Sequence, residues 1–444
     1  MYKPQGSYKL ILLFIHLLLG YLLSSFTNYN LSTFLGIIII IIGSYYILSM
    51  PDPKNQYPIL FSAYIVGLEV LLRMTDAKLF WEFGKYSIIY FILLGVVRQR
   101  QLLNIFPPIL IYFLLLIPAA FIVPMESFTM WRQDVAFNLS GPACLAICSI
   151  YLYNRKLNME FLRKILFFLV LPIISMSIYN LMAMPDLSSY HFQPYSNPTT
   201  SGGFGPNQVS TLFGLGIVSI LVMQTFRSNL FGLQIIDLFI LAIFFSLGLI
   251  TFSRGGIFAA VISFTIAISY FVFNNQNKIY MISKITITML VVLMSWYFIV
   301  TLTDGVLTQR YGIGSVSYGE RLFIDFTGRI EIYKIDFEIF KNNFFSGVGP
   351  GHATELRQKY GYGKIVAAHV EYSRMLAEHG MFGLISLIIL LILPYSTFSN
   401  SKLVRCRFII LLFASLAMIT MTHSAMRIAM PSFIFGLIFP KYEI

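Results

Sequence analysis

Long apolar runs separated by short polar breaks recur along almost the whole chain. A helix needs about 20 mostly apolar residues to cross roughly 30 Å of hydrocarbon, and the runs predict about fourteen crossings. They cover 8–24, 31–48, 57–73, 84–97, 102–123, 135–153, 161–183, 207–225, 231–251, 255–273, 282–302, 380–397, 404–421 and 425–440. Glu69 interrupts the third run, the fourth is short, and Pro431 lies inside the last, so twelve or thirteen crossings fit as well. The expected fold class is therefore an all-α polytopic membrane protein of about 12 to 14 transmembrane helices with one large external loop containing short helices.

Two longer polar segments interrupt the pattern. The first, 184–206, is rich in Pro, Ser, Tyr and Gly and runs through Gly203-Phe204-Gly205-Pro206-Asn207 into an apolar run. Asn207 is placed to cap that helix. The second, 303–379, carries two helical patterns: Ile332, Ile335, Ile339 and Phe340 fall on one face of 329–341, and 367–378 is followed by Gly380. Gly347-Val348-Gly349-Pro350-Gly351 between them demands a tight irregular turn. The predicted organisation is N-terminal membrane helices (1–200), helices carrying the Gly-Pro-Asn and Ser-Arg-Gly motifs (201–302), an external catalytic loop (303–379) and C-terminal helices (380–444).

Composition agrees with a bilayer as solvent: of 444 residues, 57% are hydrophobic and 11% charged, and mean hydropathy is +0.76, far outside the soluble range. Basic residues are retained in short cytoplasmic loops. With both termini inside, the cytoplasmic segments collect sixteen Lys and Arg against four Asp and Glu, a surplus equal to the +12 of the whole chain. The basic balance thus reports topology, and its spread along short loops argues against a nucleic-acid partner. Cys144, Cys148 and Cys406 form neither a disulfide framework nor a metal-ligand spacing. Nor is there a Walker-type loop, zinc-ligand pair or serine-nucleophile elbow.

Candidate chemistry gathers on the external side. Arg254, in Ser253-Arg254-Gly255-Gly256 at the tip of a helical hairpin, presents a fork of donors suited to phosphate oxygens, with glycines permitting close backbone approach; its plainer role is snorkelling at the interface. His369 has an imidazole suited to proton transfer at neutral pH, although a histidine near a helix start is commonly just hydrogen-bonded. Arg310, Arg321 and Arg329 precede it. From 303 to 367 the loop holds eight basic and seven acidic residues, so an anion site must come from particular arginines. Glu371, Arg374 and Glu378 are spaced for ion pairs along one helix. His379 fits a helix end, and His352 follows the glycine turn.

These motifs together resemble the O-antigen ligase and polymerase superfamily. The resemblance runs through Gly328-Arg329, Asn342-Asn343, Ser346 to Gly351, His369-Val370-Glu371-Tyr372 and Leu376 to Gly383, with Gly203 to Asn207 and Ser253-Arg254-Gly255 upstream. It implies a helical membrane glycosyltransferase of the bacterial inner membrane, acting at the periplasmic face without nucleotide sugar, metal or other cofactor. The donor would be an undecaprenyl-diphosphate-linked glycan, and the acceptor a hydroxyl of lipid A core, of another glycan or of another molecule. By the same resemblance, Arg254 and Arg329 would hold the diphosphate and His369 would activate or position the acceptor hydroxyl. Asn207, Arg321, Gly349 and Glu371 would contribute to substrate binding. Val370 stands where many relatives have Asn, which touches acceptor handling more than donor binding.

Ligase and polymerase share this donor chemistry. The compact external loop before three final helices slightly favours a ligase, and a protein O-glycosyltransferase is a further variant. The alternative of another class is a lipid-linked glycan flippase, which needs ionisable residues near helix midpoints; Glu69 is the strong candidate for that, whereas Arg254, Arg329 and His369 map to one external face.

Overall fold

The computed structural model describes residues 7–26, 30–99, 106–122, 127–187, 189–274, 278–312, 327–361 and 370–443, with the side chains of 7, 278–281 and 327–329 outside the description. Among the described residues 76% are helical, and the strands are two three-residue pieces, Lys156–Asn158 and Lys441–Glu443. Among the described residues, ten helices are long and apolar enough to cross a membrane. It is an all-α polytopic membrane protein.

The four remaining expected spans are shorter, each for a local reason. Pro118 ends the 102–123 run early, leaving a helix at Pro107–Leu114 and a 3-10 turn at Pro118–Phe121. The last run is helical only over Met430–Gly436. Pro431 stands in its first turn, where a missing N–H leaves no hydrogen bond unmade. Phe83–Gln99 and Gln234–Ile250 have 17 residues each.

The chain divides into two compact units, 1–80 with 158–324, and 81–157 with 325–444. In the first, close helix packing uses small residues, as expected where lipid gives no hydrophobic drive between helices. A Cβ on Gly67 in the Tyr57–Met74 helix would lie 2.1 Å from the Leu169 carbonyl in Met159–Ala183. A Cβ on Gly256 would meet the Ser210 backbone at 2.2 Å, so Arg254–Phe273 lies directly on Pro206–Thr225. By contrast, only 22% of the Tyr8–Ser25 and Leu31–Ser49 windows is buried, and side chains such as Phe14 and Ile41 face outward. Apolar exposure of this kind is what a helix bordering lipid requires.

In the second unit the expected amphipathic helix is present at Thr327–Asn342. Its apolar face, Ile332, Ile335, Ile339 and Phe340, is buried, and Ile335 and Ile339 pack with Ala353 and Ala377. That face lies on neighbouring helices. Asp336 locks the arrangement: its carboxylate accepts from Arg357 Nε at 2.7 Å and from Ser373 Oγ at 2.6 Å, and Asp336 and Arg357 are fully buried. Three helices, Thr327–Asn342, His352–Lys359 and Glu371–Asn400, are thereby fixed by one carboxylate.

Candidate functional site

In the first unit, the two upstream motifs meet. Asn207 lies in the first turn of the Pro206–Thr225 helix, whose cap position is Gly205, so the capping role expected for Asn207 is not the one it plays. Its Oδ1 instead accepts a hydrogen bond from Ser253 Oγ at 2.7 Å, and Ser210 Oγ donates to Ser253 Oγ at 3.1 Å. Ser253 is buried and immediately precedes the Arg254–Phe273 helix. The hydroxyl therefore couples the Gly-Pro-Asn turn to the start of the helix that carries Arg254.

Arg254 is half-buried. Its guanidinium donates to the Arg310 carbonyl at 3.1 Å, while Arg310 reaches back through Nε to the Phe252 carbonyl at 2.9 Å and through a terminal nitrogen to the Pro194 carbonyl at 3.3 Å. Phe252 holds a positive φ of 53° to make the hairpin tip. Both guanidiniums lie near Tyr311, whose hydroxyl is buried and has no hydrogen-bond partner among the described residues. Burial raises its pKa, and the two arginine charges oppose that shift. Two positive groups at the N-terminus of a helix favour an anion.

Glu69 is not an isolated membrane charge. Its carboxylate pairs with Arg73 one turn on at 2.6 Å, and both side chains are buried; Arg73 also donates to Gln208 at 3.4 Å. Sequence reasoning took Glu69 as a possible transport residue and passed over Arg73, although the i, i+4 spacing was visible.

In the second unit the glycine turn is a docking device. Gly347, Gly349 and Gly351 all have positive φ. The N–H groups of Val348 and Gly349 donate to the carbonyls of Ala377 and Glu378 at 3.1 and 2.9 Å, like one rung pair of a ladder. A Cβ on Gly347 would sit 2.3 Å from the Glu378 carbonyl. Gly380, expected to end a helix, marks a kink with φ 58° and ψ −134°, and the helix continues to Asn400. A Cβ there would lie 2.5 Å from the Gly347 nitrogen, so turn and kink need glycine on both sides.

Glu371 begins that helix. The expected ion pairs of Arg374 with Glu371 and with Glu378 form, the latter at 2.7 Å, and all three residues are buried. Arg374 also donates to Asn138 Oδ1 at 3.0 Å and to the Asn138 carbonyl at 3.2 Å, while Glu371 accepts from the Met426 N–H at 3.2 Å. These groups line a cavity of about 230 Å³ with Asp134, Thr354, Glu355 and Arg427. The partners Asp134, Asn138 and Arg427 were missed from sequence because they come from distant segments with no shared motif. His352 contacts Glu355 at 3.7 Å, and His379 is fully buried.

Arg329 lies in the first turn of Thr327–Asn342, with its side chain outside the described residues. Arg321 and His369 also lie outside them.

Comparison with curated proteins and with solved structures returned no significant match. A protein-family model described as O-antigen ligase matches residues 238–388, a segment that contains Arg254, Arg321, Arg329, Gly349, His369 and Glu371. Proteins of this family are glycosyltransferase-like enzymes, and the match supports a ligase- or polymerase-type role in surface glycan biosynthesis. The match over residues 238–388 supports the resemblance of this segment to the O-antigen ligase and polymerase superfamily.

Proposed function

We propose that the protein transfers a glycan from an undecaprenyl-diphosphate carrier to an acceptor hydroxyl at the outer face of the bacterial inner membrane, most simply as a ligase. The observation that carries this reading is the Asn207–Ser253 bond beside Arg254, which seats a guanidinium at a helix N-terminus with a second one, Arg310, hydrogen-bonded to the same turn.

In this mechanism the acceptor oxygen attacks the anomeric carbon and the bond from that carbon to the diphosphate oxygen breaks. Negative charge develops on the leaving diphosphate, where preorganised cationic donors stabilise the transition state more than the ground state. Arg254 and Arg329 fill this role, with Arg321 and Asn207 contributing to donor binding. His369 accepts or positions the acceptor proton. Gly349 shapes the turn that docks on the Glu378 carbonyl, and Glu371 assists the acceptor. No metal or nucleotide enters the scheme.

The test incubates purified protein with an undecaprenyl-diphosphate glycan, with and without lipid A core, and follows products by gel and mass spectrometry. Product only when core is present supports the ligase. Chains that lengthen on undecaprenyl diphosphate without core make the protein a polymerase. An unchanged donor under both conditions overturns the enzyme reading in favour of a transporter.

A further inference from the structure

The cavity beside Glu371 has a chemistry different from that of a diphosphate site. Four carboxylates, those of Asp134, Glu355, Glu371 and Glu378, line it against the two guanidiniums of Arg374 and Arg427. Arg374 is already engaged by two of those carboxylates and by Asn138. An anion entering here would meet a surplus of negative charge at short range, in a place where partial burial weakens solvent screening.

Its size and its donors and acceptors suit a different guest. A volume of about 230 Å³ corresponds to roughly seven or eight waters at about 30 Å³ each, comparable to one sugar ring with its hydroxyls. Carboxylates accept hydrogen bonds from hydroxyls and charged amines alike, and Thr354 and Asn138 add neutral polar groups on the wall. The Glu371 and Glu378 carboxylates are held by Arg374, so their orientation is fixed before any guest arrives, which reduces the ordering cost of binding. Phe137 and Met426 supply apolar wall area, as the CH faces of a sugar require.

We infer that this cavity is a monosaccharide-sized acceptor subsite that accepts neutral and amino sugars and rejects acidic ones. Its role as an acceptor subsite rests on the proposed transferase activity; its charge preference does not. Under that role, transfer would proceed onto a sugar lacking phosphate or carboxylate at the position held here, whereas the anionic donor would be held by the arginines named above.

The test uses the full-length protein in lipid nanodiscs. Binding of a glucosamine tetramer and of a galacturonate tetramer, matched in length, is measured by calorimetry at neutral pH, and donor turnover is measured in the same preparation. Asp134→Asn and Glu355→Gln remove charge at the least buried of the four carboxylates, away from the Arg374 pairs, and thermal melting checks that both variants fold. The inference expects the glucosamine tetramer to bind at least about tenfold more tightly than the galacturonate tetramer, since each factor of ten needs only about 1.4 kcal/mol. It also expects each variant to narrow that ratio. Equal binding of the two probes, binding of neither, or a ratio unmoved in two folded variants overturns the inference. If the donor is turned over in such an outcome, the transferase reading stands alone. Selective binding without donor turnover leaves the sugar site and removes the transferase reading.

Discussion

Two arginines differ in the groups that hold them. Arg374 is buried between Glu371 and Glu378 in one helix and donates also to Asn138. Arg254 is half-buried and rests on a backbone carbonyl, that of Arg310, which in turn is held by the carbonyls of Phe252 and Pro194. Carboxylates cancel the charge of the group they hold, whereas carbonyls orient it and leave the charge in place. A buried arginine with two carboxylates therefore fixes helices and shapes a cavity, whereas Arg254 is half-buried at the start of a helix with its guanidinium oriented by a backbone carbonyl. The sequence marked Arg374 by ion-pair spacing and Arg254 by its motif at a hairpin tip, and could not weigh their partners.

The largest effect is expected at Arg374. Arg374→Ala would leave two buried carboxylates facing each other, and removing one partner of a buried ion pair costs about 3–5 kcal/mol. The expected result is loss of most folded protein, read by detergent-solubilised yield and thermal melting. The triple variant Glu371→Gln, Arg374→Met, Glu378→Gln should recover much of the fold, because no charge is then stranded. A melting curve of Arg374→Ala like the wild type would remove the scaffold role.

Next comes Arg254. Arg254→Ala should reduce glycan transfer about 100- to 1000-fold, the usual consequence of deleting a donor aimed at developing negative charge, with melting unchanged. Arg254→Lys keeps the charge without the planar fork and should recover part of the rate. If the alanine variant turns over donor at the wild-type rate, charge stabilisation by this residue is excluded and the contrast with Arg374 loses its functional half.

Glycine motifs in the two units provide a smaller effect. Gly347 and Gly203 both have positive φ, 68° and 81°. A Cβ at Gly347 would strike the Glu378 carbonyl, while one at Gly203 would meet nothing within 4 Å. Gly203→Ala should cost only the backbone term of about 1–2 kcal/mol. Gly347→Ala adds displacement of the Gly380 kink and should cost more, measured by chemical or thermal unfolding. Equal losses would mean that the turn yields without disturbing the kink.

How much of this was legible in the sequence depends on the range of the interaction. Membrane helices follow from apolar run length, so ten of the expected spans match long helices, and the buried face of Ile332, Ile335, Ile339 and Phe340 follows from a 3.6-residue period. The Glu371–Arg374–Glu378 pairing was visible as spacing. Its burial was not, because that depends on Asn138, 236 residues away. Likewise the Gly-Pro-Asn and Ser-Arg-Gly motifs could be listed separately, yet nothing in either predicts that Ser253 bonds to Asn207, since a side-chain hydrogen bond between two helices leaves no periodic trace. Asp134 and Arg427 gave no signal at all: neither belongs to a motif or spacing that points to the other, and each acquires meaning only from the cavity it borders.

The smallest effect tests that hydrogen bond. Ser253→Ala removes the hydroxyl that Asn207 Oδ1 accepts from and that Ser210 donates to, and a neutral hydrogen bond contributes about 1 kcal/mol. If the bond positions Arg254 for the donor, Ser253→Ala and Asn207→Ala should each slow transfer roughly fivefold, an amount that about 1 kcal/mol explains. The double variant should be little worse than either single one, because the same link is broken in all three. A purely structural bond would instead lower melting temperature and leave the kcat of the folded fraction unchanged. The position of the loss also discriminates: misplacement of a group that acts in the transition state lowers kcat, whereas loss of donor affinity alone raises KM. A fall in kcat with preserved melting would place Ser253 and Asn207 as positioning residues for Arg254, and would explain why a serine and an asparagine 46 residues apart sit beside the one arginine of the hairpin tip.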